Sequence, residues 1–189
     1  MQGPLALSAA TAGILLLPGS LLNGALSPFM GQLFDKVGPR PMMIPATLVL
    51  SGTMFMMSRL DTGSSVWMIV IGFLLLMISV SAIMMPAQTN GLNQLPKRLY
   101  PHGTAVISTL QPMAGAIGVS VFISILNARQ ANYLSDAETP DDPATIDLAM
   151  VAGVELVYFT AFIFSIVAVV MALRVYRARP DDIADTKVE

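Results

Sequence analysis

Between Leu5 and Met30 the chain carries no charged side chain, and apolar runs of similar reach recur almost to its C-terminus. A helix of that first run rises about 39 Å, enough to cross a bilayer with tilt. Further runs occupy 42–58, 66–87, 103–126 and 150–173. Inside lipid only helices and closed barrels satisfy their own backbone, and runs of this length are helical. The expected fold is therefore all-α: a polytopic membrane protein with five transmembrane helices and the lipid bilayer as its first partner. Composition agrees, because 12% charged residues is about half of what a soluble domain carries. The first run is too long for the apolar core of a signal peptide, and no basic segment precedes it. With no cysteine and one histidine, the sequence offers no disulfide, no thiolate metal site and no His/Glu cluster. No catalytic constellation stands out, so neither an enzyme, a cofactor nor a bound metal is expected.

Five spans place alternate loops on opposite sides of the membrane. Of the ten Lys and Arg residues, Lys36, Arg40, Lys97, Arg98, Arg174, Arg177, Arg179 and Lys187 fall on one side, and Arg59 and Arg129 on the other. The positive-inside rule makes the first side cytoplasmic and gives a cytoplasmic C-terminus, with 176–189 expected as a disordered tail. Asn127 to Ala149, acidic and holding Pro140 and Pro143, is expected as an irregular outer loop. The N-terminus then also lies outside with nothing before it to export it. The chain is accordingly expected to be the C-terminal piece of a larger protein, its missing N-terminal helices being partners.

The first charged island is Gly31-Gln32-Leu33-Phe34-Asp35-Lys36-Val37-Gly38-Pro39-Arg40. Gly31 suits the close approach of a helix end to a neighbour, and Gly38 a turn that a Cβ would resist. Asp35 offers a carboxylate to backbone N–H groups or a cation, and Lys36 and Arg40 bracket it with positive charge. The spacing G-x-x-x-D-K-x-G-x-R resembles the loop signature of the major facilitator superfamily, with Pro39 in place of the more usual basic residue. Leu16-Leu17-Pro18-Gly19-Ser20, Ser27-Pro28-Phe29-Met30 and Thr109 through Gly118 are similar to segments of its fourteen-span drug:proton antiporters. The resemblance covers nearly all of residues 5–175 and implies a transporter of the cell membrane. It further implies multidrug efflux by alternating access, protons as the coupling ion and small amphipathic substrates. In the family this signature follows the second helix of a six-helix half; here it follows the first. Gly31, Asp35, Lys36, Gly38 and Arg40 are expected to act as a conformational latch. The alternatives are a topology-setting loop, a facilitator for a metabolite or sugar, and a transport-inactive fragment that needs a partner.

Candidate pathway residues are the polar groups inside spans. Glu155 is the carboxylate at membrane depth, where ionisable groups usually face a cavity or a partner. Tyr158, Phe162 and Ser165 share its helical face, and aromatics beside an acid suit an amphipathic cation; alternatively Glu155 lies near the surface and stays hydrated. Asn23 with Ser20 and Ser27, and Gln111 with Thr104 and Ser108, form two further polar stripes. Each fits either a pathway or interhelical hydrogen bonding. In the fourth run, Ala114/Gly118 and Ala116/Ser120/Ser124 have the small-xxx-small spacing of tightly packed helices.

Overall fold

The computed structural model describes residues 9–61, 64–137, 139 and 142–176. Five helices account for nearly all of them: α1 (Ala9–Val37), α2 (Pro39–Met57), α3 (Val66–Leu92), α4 (Tyr100–Ser135) and α5 (Pro143–Arg174). A single 3-10 turn, Lys97–Leu99, leads into α4, and no strand occurs among the described residues. Most of the expected tail, 177–189, lies outside the described residues.

The helices overrun the apolar runs that announce them. α1 continues unbroken through Pro18, Gly19, Gly24 and Pro28 and ends seven residues past Met30, at Val37. α4 extends to Ser135, and α5 begins at Pro143 instead of Met150. Residues 127–135 and 143–149 of the expected irregular loop from Asn127 to Ala149 are therefore helical. Pro143 opens a helix rather than opposing one: at the first helical position its missing N–H has no partner to lose. Asp142 caps the same end, its Oδ1 accepting from the Ala144 N–H at 3.4 Å.

α2 forms the middle of the bundle, packed on α3 at one flank and α5 at the other; α1 lies on α3 and α4 lies on α5. Across the bundle the order is α1, α3, α2, α5, α4. The interior of this arrangement is mixed: Ala46, Thr47, Ser51 and Thr53 of α2, and Ser79, Ser81 and Ala82 of α3, are buried alongside Phe34, Met42, Met43, Met54, Met57 and Val70. The exterior is large and apolar, with Leu21, Phe29, Leu110, Ile117, Phe164 and Met171 each more than half exposed. A water-soluble protein reverses this distribution; lipid removes the drive to hide leucines and leaves close packing of short side chains to hold helices together. Two of the buried hydroxyls return their protons to their own helix, Thr47 to Met43 O at 2.8 Å and Thr53 to Val49 O at 2.8 Å, whereas those of Ser51 and Ser79 make no hydrogen bond among the described residues. α3, the turn with α4, and α5 are each long and apolar enough to cross a membrane.

α4 departs from expectation. None of its residues is buried, and a Cβ added at Gly115 or Gly118 would meet nothing within 4 Å. Ser120 and Ser124 bond back to Ala116 O and Ser120 O of their own helix. The small-residue stripe from Ala114 to Ser124 therefore packs on no described part of the chain. α4 instead reaches α5 farther along, where Gly153 lies so close that a Cβ would stand 3.1 Å from the Leu126 carbonyl oxygen. That atom is helix backbone and cannot give way. Gly153→Val should lower the thermal midpoint for loss of helicity, by an overpacking cost of about 1–3 kcal/mol. Gly52→Val, at a helical glycine with open space around it, should not. Equal midpoints for the two variants would remove Gly153 as the α4–α5 contact.

Candidate functional site

The charged island is not a loop. α1 stays helical through Asp35, Lys36 and Val37, and Gly38 alone separates it from α2. Gly38 sits at φ 81°, ψ −178°, backbone that glycine adopts without strain, and its N–H still donates to Phe34 O at 2.8 Å. Pro39 then starts α2, where its fixed φ suits a first turn. Gly31 is two turns inside α1 instead of at a helix end. A Cβ there would meet Met85 Cε at 3.4 Å, an ordinary contact, so close approach does not demand glycine at this position. Lys36 falls in the last turn of α1, where its charge complements the helix dipole. Asp35 is exposed on the same turn.

Arg40 has a long-range partner. Its Nη2 donates to Leu173 O at 2.6 Å, at the C-terminal end of α5, where the last carbonyls lack intrahelical donors. A guanidinium at this end also meets the negative pole of the helix dipole. Asn90 of α3 adds a second tie, Nδ2 donating to Tyr176 O at 3.0 Å. The start of α2, the end of α3 and the end of α5 are thus fastened together at one pole of the bundle.

Near that pole Gln88 Nε2 donates to Gln111 Oε1 at 3.0 Å, and Gln111 Nε2 approaches Met84 Sδ at 3.9 Å. This is a bridge between α3 and α4, helices that otherwise meet little beyond the turn joining them. Beside the turn a cavity of about 600 Å³ is lined by Leu92, Leu95, His102, Val106 and Ile107. Of the stripe expected with Gln111, Thr104 bonds back to Tyr100 O. Asn23 lies on α1, but its side chain, like those of Ser20 and Ser27, is outside the described residues.

Glu155 belongs to the opposite pole. It lines a cleft of about 350 Å³ with Ser58 and Arg59 at the end of α2, Arg129 of α4, and Leu156 and Phe159 of α5. Arg59 stacks over the Phe55 ring at 5.1 Å, and Phe55 packs on Phe162 at 5.3 Å between centroids. Phe162 also meets Phe159 at 6.4 Å, while Tyr158 is half-buried. The aromatic cluster beside Glu155 therefore already has a cation, the protein's own Arg59. Arg129, which shares this cleft, is about 27 Å along α4 from Gln111, so Gln111 and Glu155 do not form one site. The charge distribution in the sequence groups Arg59 and Arg129 on one side but carries no signal that they share a cleft with Glu155. Among the described residues no three of His, Asp or Glu are placed to hold a metal ion.

The Arg40 tie carries its own test. Arg40→Gln should speed backbone hydrogen exchange across 173–176 by about tenfold or more, the loss of one charge-assisted hydrogen bond of about 1.5–3 kcal/mol. Arg40→Lys should recover part of the protection, and Arg59→Gln none of the effect. Exchange unchanged in Arg40→Gln would show that α5 ends without help from α2.

Comparison with known proteins agrees with this architecture. The sequence pattern of the Major Facilitator Superfamily matches residues 1–188. The lincomycin resistance protein LmrB of Bacillus subtilis (strain 168) is 46% identical over 96% of this chain and 38% of its own length. LmrB of Listeria monocytogenes serovar 1/2a is 42% identical over 95% of this chain and 38% of its own. The multidrug transporter protein MdtP of Bacillus subtilis is 26% identical over 74% of the chain and 26% of its own. The chain thus spans less than two fifths of the length of these relatives. No solved structure matches it. Matched almost throughout by the family pattern and by a 46% identical relative, this multi-pass membrane chain belongs to the major facilitator superfamily.

Proposed function

We propose that the chain serves a proton-coupled multidrug exporter of the cytoplasmic membrane, working by alternating access on small amphipathic substrates. The observation that carries this reading is the 46% identity, over 96% of the chain, to a protein named for lincomycin resistance. In this reading all five helices span. α2, the shortest at 19 residues, reaches about 28 Å, close to the thickness of a hydrocarbon core. The pole that holds Arg40, Lys97 and Arg174 faces the cytoplasm, and so does the C-terminus.

Within that frame Gly31, Asp35, Lys36, Gly38 and Arg40 form the latch. Its support is mechanical: one glycine joins α1 directly to α2, and the next cation grips the end of α5. Gln111 is the better supported pathway residue, because it spans the gap between α3 and α4 by an exposed amide hydrogen bond that a passing molecule can replace. Asn23 stays with it as the polar residue of α1. The cation-binding role for Glu155, Tyr158 and Phe162 loses support, since two arginines share the Glu155 cleft.

The bare face of α4 favours one further element of the reading. Ala114, Gly115 and Gly118 present a surface suited to close helix contact with no described neighbour. We infer that other helices of the same transporter cover it, and that the chain without them is transport-inactive.

Everted vesicles from cells making the full-length transporter test the reading. They should accumulate lincomycin on energisation and lose that accumulation when a protonophore collapses the gradient. Gln111→Ala should cut the rate several-fold at equal expression. Asp35→Asn should slow transport about tenfold, worth about 1.4 kcal/mol in a barrier, with lincomycin binding within about twofold of the parent. Uptake of a sugar in place of any drug would overturn the export reading. Lost binding in a well-folded Asp35→Asn protein would overturn the latch.

A further inference from the structure

We propose that the Arg59–Arg129–Glu155 cleft is a binding site for an anionic phospholipid, with the phosphate between the two guanidinium groups and an acyl chain along α5. The cleft holds charge that no ion pair among the described residues neutralises. Both arginines line the same cleft of about 350 Å³, and among the described residues neither they nor Glu155 close into an ion pair. An arginine cannot discharge to escape this, so two fixed cations and one carboxylate leave a net positive cavity at the end of the bundle.

The orientation of Arg59 suits a phosphate. Its guanidinium carbon lies over the Phe55 ring, 5.1 Å from the centroid, a cation–π contact that uses no N–H donor. The N–H donors in its plane remain free, and these are the groups that engage phosphate oxygens in pairs. Phe55 is in turn held by Phe162, so the cation is steadied from behind. A carboxylate opposite two guanidiniums sets the net charge at one positive unit, which matches a ligand of net charge minus one.

The apolar wall distinguishes a lipid from a free anion. Leu156 and Phe159 line the cleft itself. Ile163, Ile166 and Val170 continue from them at spacings of three and four, and all five side chains are exposed. This strip descends about 21 Å along α5, away from the charged end and into the stretch read as membrane-spanning. A cationic head above an uninterrupted apolar track has the polarity of an anionic phospholipid turned outward. The proposal does not depend on drug export.

Native mass spectrometry of the full chain released from detergent, with phosphatidylglycerol and phosphatidylcholine of the same acyl chains, tests it. The parent should keep phosphatidylglycerol at activation that strips phosphatidylcholine. Arg59→Gln with Arg129→Gln should lower phosphatidylglycerol retention about tenfold and leave phosphatidylcholine unchanged. Paired Arg→Lys changes should keep part of the binding, and Glu155→Gln should strengthen it. Arg98→Gln, at the opposite pole, should have no effect. Equal retention of the two lipids by the parent, or an equal response to Arg98→Gln, would overturn the site. Displacement of phosphatidylglycerol by millimolar inorganic phosphate would overturn the lipid assignment in favour of a free anion. Should the double glutamine variant fail to fold, weaker binding in Glu155→Gln would still refute the proposal.

Discussion

Lipid as solvent is the constraint on which the rest of this structure depends. Where the surroundings are as apolar as leucine, burying leucine gains little, and helices associate through close contact and satisfied polar groups. Short residues consequently share the contact faces with flexible methionines such as Met43, Met54 and Met57. α2 can lie against both α3 and α5 because Ala46, Thr47, Ser51 and Thr53 keep it thin, and α5 reaches α4 because Gly153 has no side chain. The same constraint explains the hydroxyls of Thr47, Thr53, Ser120 and Ser124. Each returns to a carbonyl of its own helix, which costs nothing in an environment without water.

This constraint also sets what could be read before the fold was known. Charge-free runs announce helices directly, because their cause lies within the run. Gly38 was legible for the same reason: a break between a helix and a proline-started helix is a local demand on φ. The ends of α4 and α5 were not. Residues 127–135 are polar and leave the apolar zone, so hydropathy assigns them to a loop although nothing in them opposes a helix. Asp142-Pro143 did carry a start signal, a capping carboxylate followed by a first-turn proline, but acidic and proline-rich surroundings obscured it.

The candidate site divides along the same line. That Arg40 and Glu155 were unusual followed from their charge at membrane boundaries. What they touch did not, because Arg40 meets a carbonyl 133 residues away and Glu155 shares its cleft with residues from two other helices. Knowing the side of the membrane brought Arg59 and Arg129 to the correct pole but could not supply their angular position around it. The outward stripe of α4 failed differently. Small-xxx-small spacing reports a capacity for close packing, and it does not say whether the partner belongs to the same stretch of chain.

The two poles differ in how they are held, and on the transport reading that difference assigns them different work. At the Arg40 pole, donors from α2 and α3 end on carbonyls at and beyond the end of α5, joining three helices into a unit. Charge on the donor makes the Arg40 bond the stronger, and moving α5 would expose both acceptors. α4 is excluded from this unit. Its side-chain ties to α3 there are the exposed amide pair Gln88 to Gln111, worth about 1 kcal/mol and readily exchanged for water or solute, the weak approach of Gln111 to Met84 Sδ, and the long bond of Tyr100 to Asn93 at 3.4 Å. A rearrangement that opens this pole therefore parts α3 from α4 before it parts α2 from α5. At the other pole Arg59, Arg129 and Glu155 surround open space instead of closing on one another. α4 is held to α5 by the contact at Gly153, adjacent to that cleft. The close contact of Leu126 with Gly153 and the readily exchanged bond of Gln111 lie about 22 Å apart along α4, so α4 can part from α3 at one point while it stays packed on α5 at the other.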